Sequence, residues 1–291
     1  MELYLIIILA VLGVTCLACC LTCCIAPCCI NSSYGRGIRS EAEKSSEIIE
    51  TKLGKIEINR KGSAPWIICL HGAPGLHDGL ANVFDDLVAE GYGVIAPSRP
   101  GYGRSPVESG KTPPEAADLM AALLDTLGIE QAAIYGISGG GATALNFALR
   151  HPDKCKACML EVGCTGGWVH PMKAELLGAG YKFQITSPFM ARVGMYALKK
   201  NPSKVLETMM HTSLHTPEEK KEIIKEIVSK QENLDFLAKA MKLSSGASCY
   251  PNTWNGFQAD VHGMEMPIDF AAIKPPVYII AGDKDGDVPI A

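Results

Sequence analysis

The stretch Gly136-Ile137-Ser138-Gly139-Gly140 decides which fold this sequence predicts. The apolar run 132–135 before it is typical of a buried strand, and residues 141–150 after it favour a helix. Glycines on both sides of Ser138 suit a turn so tight that the neighbouring side chains must be small. A bare G-x-S-x-G is also an ordinary turn between two core elements. The strand, sharp turn and helix together are the context that makes it a nucleophile elbow.

Strands and helices alternate on both sides of this stretch. Further apolar runs favour strands at residues 55–59, 66–70, 92–96, 157–162 and 277–280. One predicted helix carries an apolar stripe of Val83, Leu87 and Val88. Another begins at the capping box Thr112-Pro113-Pro114-Glu115 and ends at Gly128. This alternation predicts an α/β fold with a parallel sheet and right-handed crossovers.

Residues 164–265 interrupt the alternation. They favour helices alone, and one of these begins at a second capping box, Thr216-Pro217-Glu218-Glu219. The strand pattern returns afterwards at residues 277–280. A helical block between two strands of one sheet is typical of a cap inserted into an α/β domain.

The amino-terminal segment differs from the rest of the chain, because residues 3–35 contain no charged side chain. As a helix, residues 3–25 would be about 34 Å long, enough to cross a hydrocarbon core of about 30 Å. A cleaved signal peptide fits less well, since no Lys or Arg precedes the apolar run. Arg36, Arg39 and Lys44 follow it, which predicts a single-pass membrane protein with its large domain in the cytosol.

These patterns divide the chain into five parts. They are a transmembrane anchor (1–30), a linker (31–48), the first part of an α/β core (49–163), a helical cap (164–265) and an incomplete second part of the core (266–291).

Seven of the 12 cysteines lie within residues 16–29. A cluster in or beside a bilayer is not a disulfide framework, and no His, Asp or Glu accompanies it as a metal ligand. Cys28 and Cys29 are either S-acylation sites on the cytosolic face or simply small apolar residues of a helix. The net charge of −4 and the lack of a basic stripe give no reason to expect nucleic acid. The sequence indicates no metal and no cofactor.

Four motifs together resemble the α/β-hydrolase superfamily, over roughly residues 50–291. They are the turn His71-Gly72-Ala73-Pro74-Gly75, the loop 97–105 (Pro-Ser-Arg-Pro-Gly-Tyr-Gly-Arg-Ser), the elbow at Ser138 and the segment 282–289 (Gly-Asp-Lys-Asp-Gly-Asp-Val-Pro). The resemblance implies an α/β-hydrolase fold: a mostly parallel sheet with flanking helices and an inserted cap.

The resemblance also implies roles for individual residues. Ser138 would be the nucleophile, and the backbone N–H groups of Ala73 and Gly139 would form the oxyanion hole. Asp285 would orient the catalytic histidine, with Asp283 and Asp287 as rivals. His71 is expected to shape the loop beside the oxyanion hole. The remaining histidines lack a motif and are expected at the surface or in the cap: His77, His151, His170, His211, His215 and His262.

The order of the triad in this superfamily is Ser, Asp, His, yet no histidine follows Asp285 before Ala291. We therefore expect a carboxy-terminally truncated chain that is inactive as given, with a degenerate, non-catalytic protein as the alternative. Should the chain act as given, His71 or His262 would have to be the base.

The expected activity is that of a membrane-anchored serine hydrolase, carboxylesterase- or lipase-like, which cleaves carboxylic esters through an acyl-enzyme. A serine at the elbow argues against dehalogenase and epoxide hydrolase chemistry, since those enzymes attack through a carboxylate. The alternative is a non-catalytic α/β-hydrolase-fold protein that binds a small ligand or a partner.

Overall fold

The computed structural model describes residues 26–167, 170, 173–210 and 213–284. The strands of its single seven-stranded sheet are β1 (Glu47–Thr51), β2 (Gly54–Lys61), β3 (Trp66–Leu70), β4 (Gly93–Ser98), β5 (Ala132–Ile137), β6 (Cys155–Glu161) and β7 (Val277–Ile280). Their order across the sheet is β1-β2-β4-β3-β5-β6-β7. Strands β4, β3, β5, β6 and β7 run parallel to one another. At one edge of the sheet, β2 pairs antiparallel with β4, and β1 pairs antiparallel with β2.

Helices cover both faces of the sheet. Those outside the cap are α1 (Ala26–Lys44), α2 (His77–Val83), α3 (Asp85–Ala89), α4 (Pro113–Leu127) and α5 (Gly141–Arg150). Between β6 and β7 lie α6 (Lys173–Leu176), α7 (Ala179–Thr186), α8 (Pro188–Lys200), α9 (Pro202–Met209), α10 (Pro217–Ser229), α11 (Gln231–Ala247) and α12 (Thr253–Gly263), which we call the cap.

Alternate residues of the strands pack into two separate hydrophobic cores, one on each face of the sheet. Ile68 and Leu70 of β3 belong to the cluster formed with α4 and α5, whereas Cys69 between them packs with Leu80 of α2 on the other face. The predicted mostly parallel sheet with flanking helices is thereby confirmed. Strands β3 and β7 and helices α4 and α5 have the predicted bounds. Strand β1 was not predicted, and the helix predicted around Val83 is divided at Phe84 into α2 and α3.

The segment predicted as a polar linker, residues 31–48, is helical as far as Lys44 and enters β1 at Glu47. The predicted anchor boundary at residue 30 likewise falls inside α1. Tertiary packing overrides the low helix propensity of its glycines and serines. Gly35 is buried, and a Cβ atom at that position would lie 3.4 Å from Pro188 Cγ at the start of α8.

A buried polar network attaches α1 to the core. Glu57 of β2 and His77 of α2 are fully buried, and both contact the hydroxyl of Ser98, at 3.0 Å. His77 Nε2 donates a hydrogen bond to the Ala42 carbonyl in α1 at 3.1 Å. Arg104 completes the network, since its Nε donates to Glu57 Oε1 at 2.6 Å. His77 is therefore a core residue rather than the surface or cap residue that the sequence predicts.

The five cysteines beyond the amino-terminal cluster are all buried and unbridged: Cys69, Cys155, Cys158, Cys164 and Cys249. Burial raises the pKa of the Cys155 thiol to about 11 and that of Cys158 to about 12. These side chains serve as small apolar core residues.

No helix within the described ranges is long and apolar enough to cross a bilayer. The anchor predicted at residues 3–25 lies outside those ranges. Cys28 and Cys29 lie in the first turn of α1.

Candidate active site

Ser138 lies in a strained turn between β5 and α5. Its φ of +49° is in the left-handed region, which a residue with a side chain rarely adopts. Strain of this kind costs about 1–3 kcal/mol and is retained where the surrounding structure imposes it. A single 3₁₀ turn, Ser138–Gly140, connects the serine to α5, so the hydroxyl lies at the positive end of a helix.

Two glycines make this turn possible by allowing close backbone contacts. A Cβ atom at Gly136 would lie 2.8 Å from the Gly140 carbonyl oxygen, and one at Gly140 would lie 2.6 Å from the carbonyl oxygen of Leu70 in β3. Backbone atoms cannot give way at such distances, so any larger residue would displace the turn. The local sequence thus builds the sharp strand-to-helix turn that it predicts.

The structure brings the predicted oxyanion-hole residues together beside Ser138. We call residues 71–75 the oxyanion loop. A Cβ atom at Gly72 would lie 3.7 Å from Ser138 Oγ, and one at Gly139 would lie 3.6 Å from the Ala73 amide nitrogen. The backbone segments that carry the Ala73 and Gly139 N–H groups therefore meet next to the serine hydroxyl. An oxyanion hole requires two such N–H donors beside the attacked carbonyl group.

His71 uses both ring nitrogens to hold the oxyanion loop. Nε2 accepts a hydrogen bond from the Arg99 backbone N–H at 3.0 Å, so the proton is on Nδ1, which donates to the Gly72 carbonyl at 2.7 Å. Burial and the nearby Arg99 charge hold the pKa of His71 well below its usual range. A neutral ring with both nitrogens engaged shapes the loop and cannot accept a proton from Ser138.

Arg99 is a buried cation beside the elbow. It is 4% exposed, and its guanidinium forms a two-pronged ion pair with Asp260 of α12, at 2.5 and 2.8 Å. Tyr102, which is fully buried, donates a hydrogen bond to the same carboxylate at 2.6 Å. Burial and the Asp260 charge raise the pKa of Tyr102 well above its usual range, so this hydroxyl remains a donor.

None of the described histidine rings forms a hydrogen bond with the Ser138 hydroxyl. His77 contacts Ser98 and Ala42, His151 contacts Asp118 at 2.8 Å, and the His215 ring contacts Ser213. His262 is exposed on α12, two residues after Asp260. Side chains two residues apart on an α-helix point in nearly opposite directions. His262 therefore faces away from the ion pair between Arg99 and Asp260.

The predicted acid Asp285 and its rival Asp287 lie outside the described residues. The other rival, Asp283, is exposed directly after β7. The next residue, Lys284, ties this end of the sheet to the cap, because its Nζ donates to Glu219 of α10 at 2.6 Å. The Lys284 hydrogen bond and that from Thr216 lower the pKa of Glu219 to about 2.

Cavities lie beside helices of the cap, among the residues that the structure describes. One of about 20 Å³, room for a single water, lies between Arg99, Gly139 and Asp260. One of about 370 Å³ lies between α12 and the start of α4, beside His262. A groove of about 560 Å³ lies between α8 and α11 in the cap. No group of three or more metal-ligating side chains occurs among the described residues.

The sequence profile of the family described as alpha/beta hydrolase fold matches residues 65–291, well over half of the chain. The chain belongs to the α/β-hydrolase family. A solved structure with the same architecture is an alpha/beta hydrolase fold protein from Nakamurella multipartita, with a TM-score of 0.71, 26% identity and coverage of 84% of this chain and 83% of that one. An esterase from Thermogutta terrifontis shares the fold at a TM-score of 0.55 and 20% identity, over 84% of this chain and 82% of that one.

Among curated α/β-hydrolase relatives, this chain is 33% identical over 127 residues to the uncharacterized hydrolase YcgS of Bacillus subtilis, covering 42% of this chain and 43% of that one. It is 34% identical over 128 residues to a 2-hydroxy-6-oxo-6-phenylhexa-2,4-dienoate hydrolase of Burkholderia cepacia, covering 42% and 45%. A 2-hydroxy-6-oxononadienedioate/2-hydroxy-6-oxononatrienedioate hydrolase of Burkholderia vietnamiensis matches over 234 residues at 29% identity, covering 77% and 72%. The chain spans less than half the length of the first two of these relatives.

Sequence reasoning missed Arg99 and Asp260. Arg99 lies inside the loop 97–105 that supports the resemblance to α/β-hydrolases, so a motif marks its position. No motif marks the position of its partner, Asp260. Asp260 occurs in a helix with no motif, 161 residues from Arg99. Only the packing of the cap on the core brings the two together.

Proposed function

We propose that the protein is a serine hydrolase that cleaves carboxylic esters through an acyl-enzyme formed on Ser138. The observation that carries this proposal is the strained Ser138 turn with the Ala73 and Gly139 backbones beside it. A strained backbone at a residue with a side chain is typical of functional sites. Here the strained turn presents the Ser138 nucleophile at the start of a helix.

The chemistry follows from this geometry. Ser138 Oγ bonds to the ester carbonyl carbon while its proton passes to a base, and the carbonyl oxygen becomes an oxyanion between the Ala73 and Gly139 N–H groups. Collapse of this intermediate breaks the bond to the leaving alcohol, which takes up the proton. Water then attacks the acyl-enzyme, which releases the acid and restores Ser138. The rings of His71, His77, His151 and His215 contact groups other than Ser138 and do not support any of them as the base.

Cleavage of a carbon–carbon bond is a second candidate function, because relatives of this chain are named as hydrolases of 2-hydroxy-6-oxo-dienoates. The same nucleophile and oxyanion hole could serve a ketone carbonyl. The two activities are distinguished by their substrates: p-nitrophenyl butyrate reports ester cleavage, and 2-hydroxy-6-oxo-6-phenylhexa-2,4-dienoate reports carbon–carbon cleavage.

Covalent labelling tests the shared core of both functions. We expect a fluorophosphonate probe to modify the full-length protein at one site, and mass spectrometry of the digested adduct to place the probe on the peptide that contains Ser138. Prior heat denaturation should abolish the labelling, since it depends on the folded turn. Labelling of another serine would place the nucleophile elsewhere, and no labelling at all would favour a non-catalytic binding protein instead.

We further propose that residues 3–25 anchor the protein in a membrane with the hydrolase domain on the cytosolic side. This proposal rests on the uncharged apolar segment and the cations that follow it. The full-length protein should stay in the membrane pellet after carbonate extraction, and removal of residues 1–25 should release it. This deletion leaves α1 in place to pack on the cap. Full-length protein of unchanged mass in the soluble fraction would contradict the anchor.

A further inference from the structure

Arg99 contacts both halves of the predicted oxyanion hole. Its Nε donates a hydrogen bond to the His71 carbonyl in the oxyanion loop at 2.7 Å, and its Nη1 lies 3.4 Å from the Gly139 carbonyl in the elbow. One planar guanidinium thus spans the two segments that carry the Ala73 and Gly139 N–H groups. Any rotation of this side chain changes its contacts with both segments.

The orientation of Arg99 depends on a residue of the cap. Asp260 of α12 accepts two hydrogen bonds from the guanidinium and a third from Tyr102, and its side chain is only 12% exposed. A buried cation needs a partner of opposite charge, so Arg99 follows the position of this carboxylate. Tyr102 also packs edge-on against the His71 ring, with the ring centroids 5.1 Å apart.

The backbone of α12 touches the loop that carries Arg99. Gly101 has a φ of +86°, and a Cβ atom there would lie 2.3 Å from Gly256 Cα in α12. The two backbones are in direct contact, with no side chain between them to absorb a displacement. The position of α12 is therefore coupled closely to that of the loop and its arginine.

We propose that Arg99 and Asp260 are positioning residues of the hydrolytic site, through which the cap helix α12 determines the geometry of the oxyanion hole. This inference rests on the proposed function. Loss of the Asp260 charge should leave the guanidinium without its anchor, and the oxyanion-loop and elbow segments should relax apart. Misplacement of oxyanion donors weakens binding of the transition state far more than binding of the substrate.

The test compares Asp260→Asn and Arg99→Lys with the unaltered full-length protein. We expect kcat for p-nitrophenyl butyrate to fall about 100-fold in both variants while KM changes less than about 3-fold. The affinity for butylboronic acid, which forms a tetrahedral adduct with an active serine, should fall in parallel with kcat. Asp260→Glu, which restores the charge, should recover part of the loss.

Asp118→Asn is the matched control, since Asp118 forms a similar two-pronged pair with Arg150 on the sheet-covering helices α4 and α5. It should leave kcat and boronate affinity unchanged.

If Asp260→Asn does not fold, Tyr102→Phe removes one hydrogen bond to the same carboxylate and should lower kcat about 5-fold. Unchanged kcat and boronate affinity in Asp260→Asn, or in Tyr102→Phe if only that variant folds, would overturn the inference. Persistence of turnover in Ser138→Ala would overturn the proposed function instead, and a protein without ester turnover would overturn both.

Discussion

Replacement of Ser138 by alanine is expected to lower kcat for ester hydrolysis by about 10⁵- to 10⁶-fold, to the level of residual catalysis by binding and the oxyanion hole. No other described serine occupies a left-handed turn at the start of a helix. Alanine keeps the same backbone strain as serine and removes only the hydroxyl, so the melting temperature should change little. Turnover of p-nitrophenyl butyrate and fluorophosphonate labelling are the measurements.

Ser229→Ala is a suitable control for this experiment, because Ser229 is exposed at the end of the cap helix α10. The control should retain full turnover and full labelling. Retention of either property by Ser138→Ala would show that the nucleophile lies elsewhere.

Replacement of Glu57 by glutamine is expected to have the largest effect on stability, about 3–5 kcal/mol in the free energy of unfolding. The carboxylate is fully buried and accepts hydrogen bonds from Ser46, Ser98 and Arg104. Glutamine would leave the Arg104 charge without its partner and place an amide donor against other donors. The melting temperature should fall by roughly 10 °C.

The effect of Glu57 should depend on pH with a definite sign. Burial alone would raise the pKa of Glu57, but the hydrogen bond and charge of His77 and the hydrogen bonds from Arg104 lower it well below its usual range. Its contribution is therefore present above the pKa of an unfolded glutamate, about 4.3, and is lost as the pH falls below that value. Urea denaturation at pH 7 and at pH 3.5 should show a smaller difference between the two proteins at the lower pH.

Glu222→Gln provides the comparison for Glu57, because Glu222 is exposed on α10. It should change the free energy of unfolding by less than about 0.5 kcal/mol at either pH. A Glu57→Gln variant as stable as this control at pH 7 would contradict the role of the buried network.

Local patterns predicted the elements whose determinants are local. The apolar run of β3, the capping box of α4 and the glycine-flanked turn at Ser138 each specify their own conformation, and the structure reproduces their bounds. Strand β1 was not predicted because Glu47–Thr51 is short and half polar, and its strand conformation depends on pairing with β2. The helical conformation of α1 was not predicted either, since α1 contacts the cap and His77 and its sequence contains no helix-specifying motif.

The same distinction applies to the candidate site. Ser138, Ala73 and Gly139 lie in motifs of a few residues each, and the fold brings these motifs together in a way that the family resemblance implies. Arg99 with Asp260, and Glu57 with His77, meet only through tertiary contacts. A single charged residue in a helix or strand carries no mark of its partner, so these pairs could not be predicted from the sequence.

The burial of five cysteines gives the folded protein a built-in chemical contrast. Alkylating reagents react with exposed thiolates, whereas all five of these thiols are buried, and burial raises the pKa of Cys155 and Cys158. Iodoacetamide applied to the native protein should therefore leave these five thiols unlabelled, so that any label reports on residues 16–29, where Cys28 and Cys29 lie outside the proposed anchor. Comparison before and after hydroxylamine, which removes thioester-linked acyl chains, then tests whether Cys28 and Cys29 carry lipid.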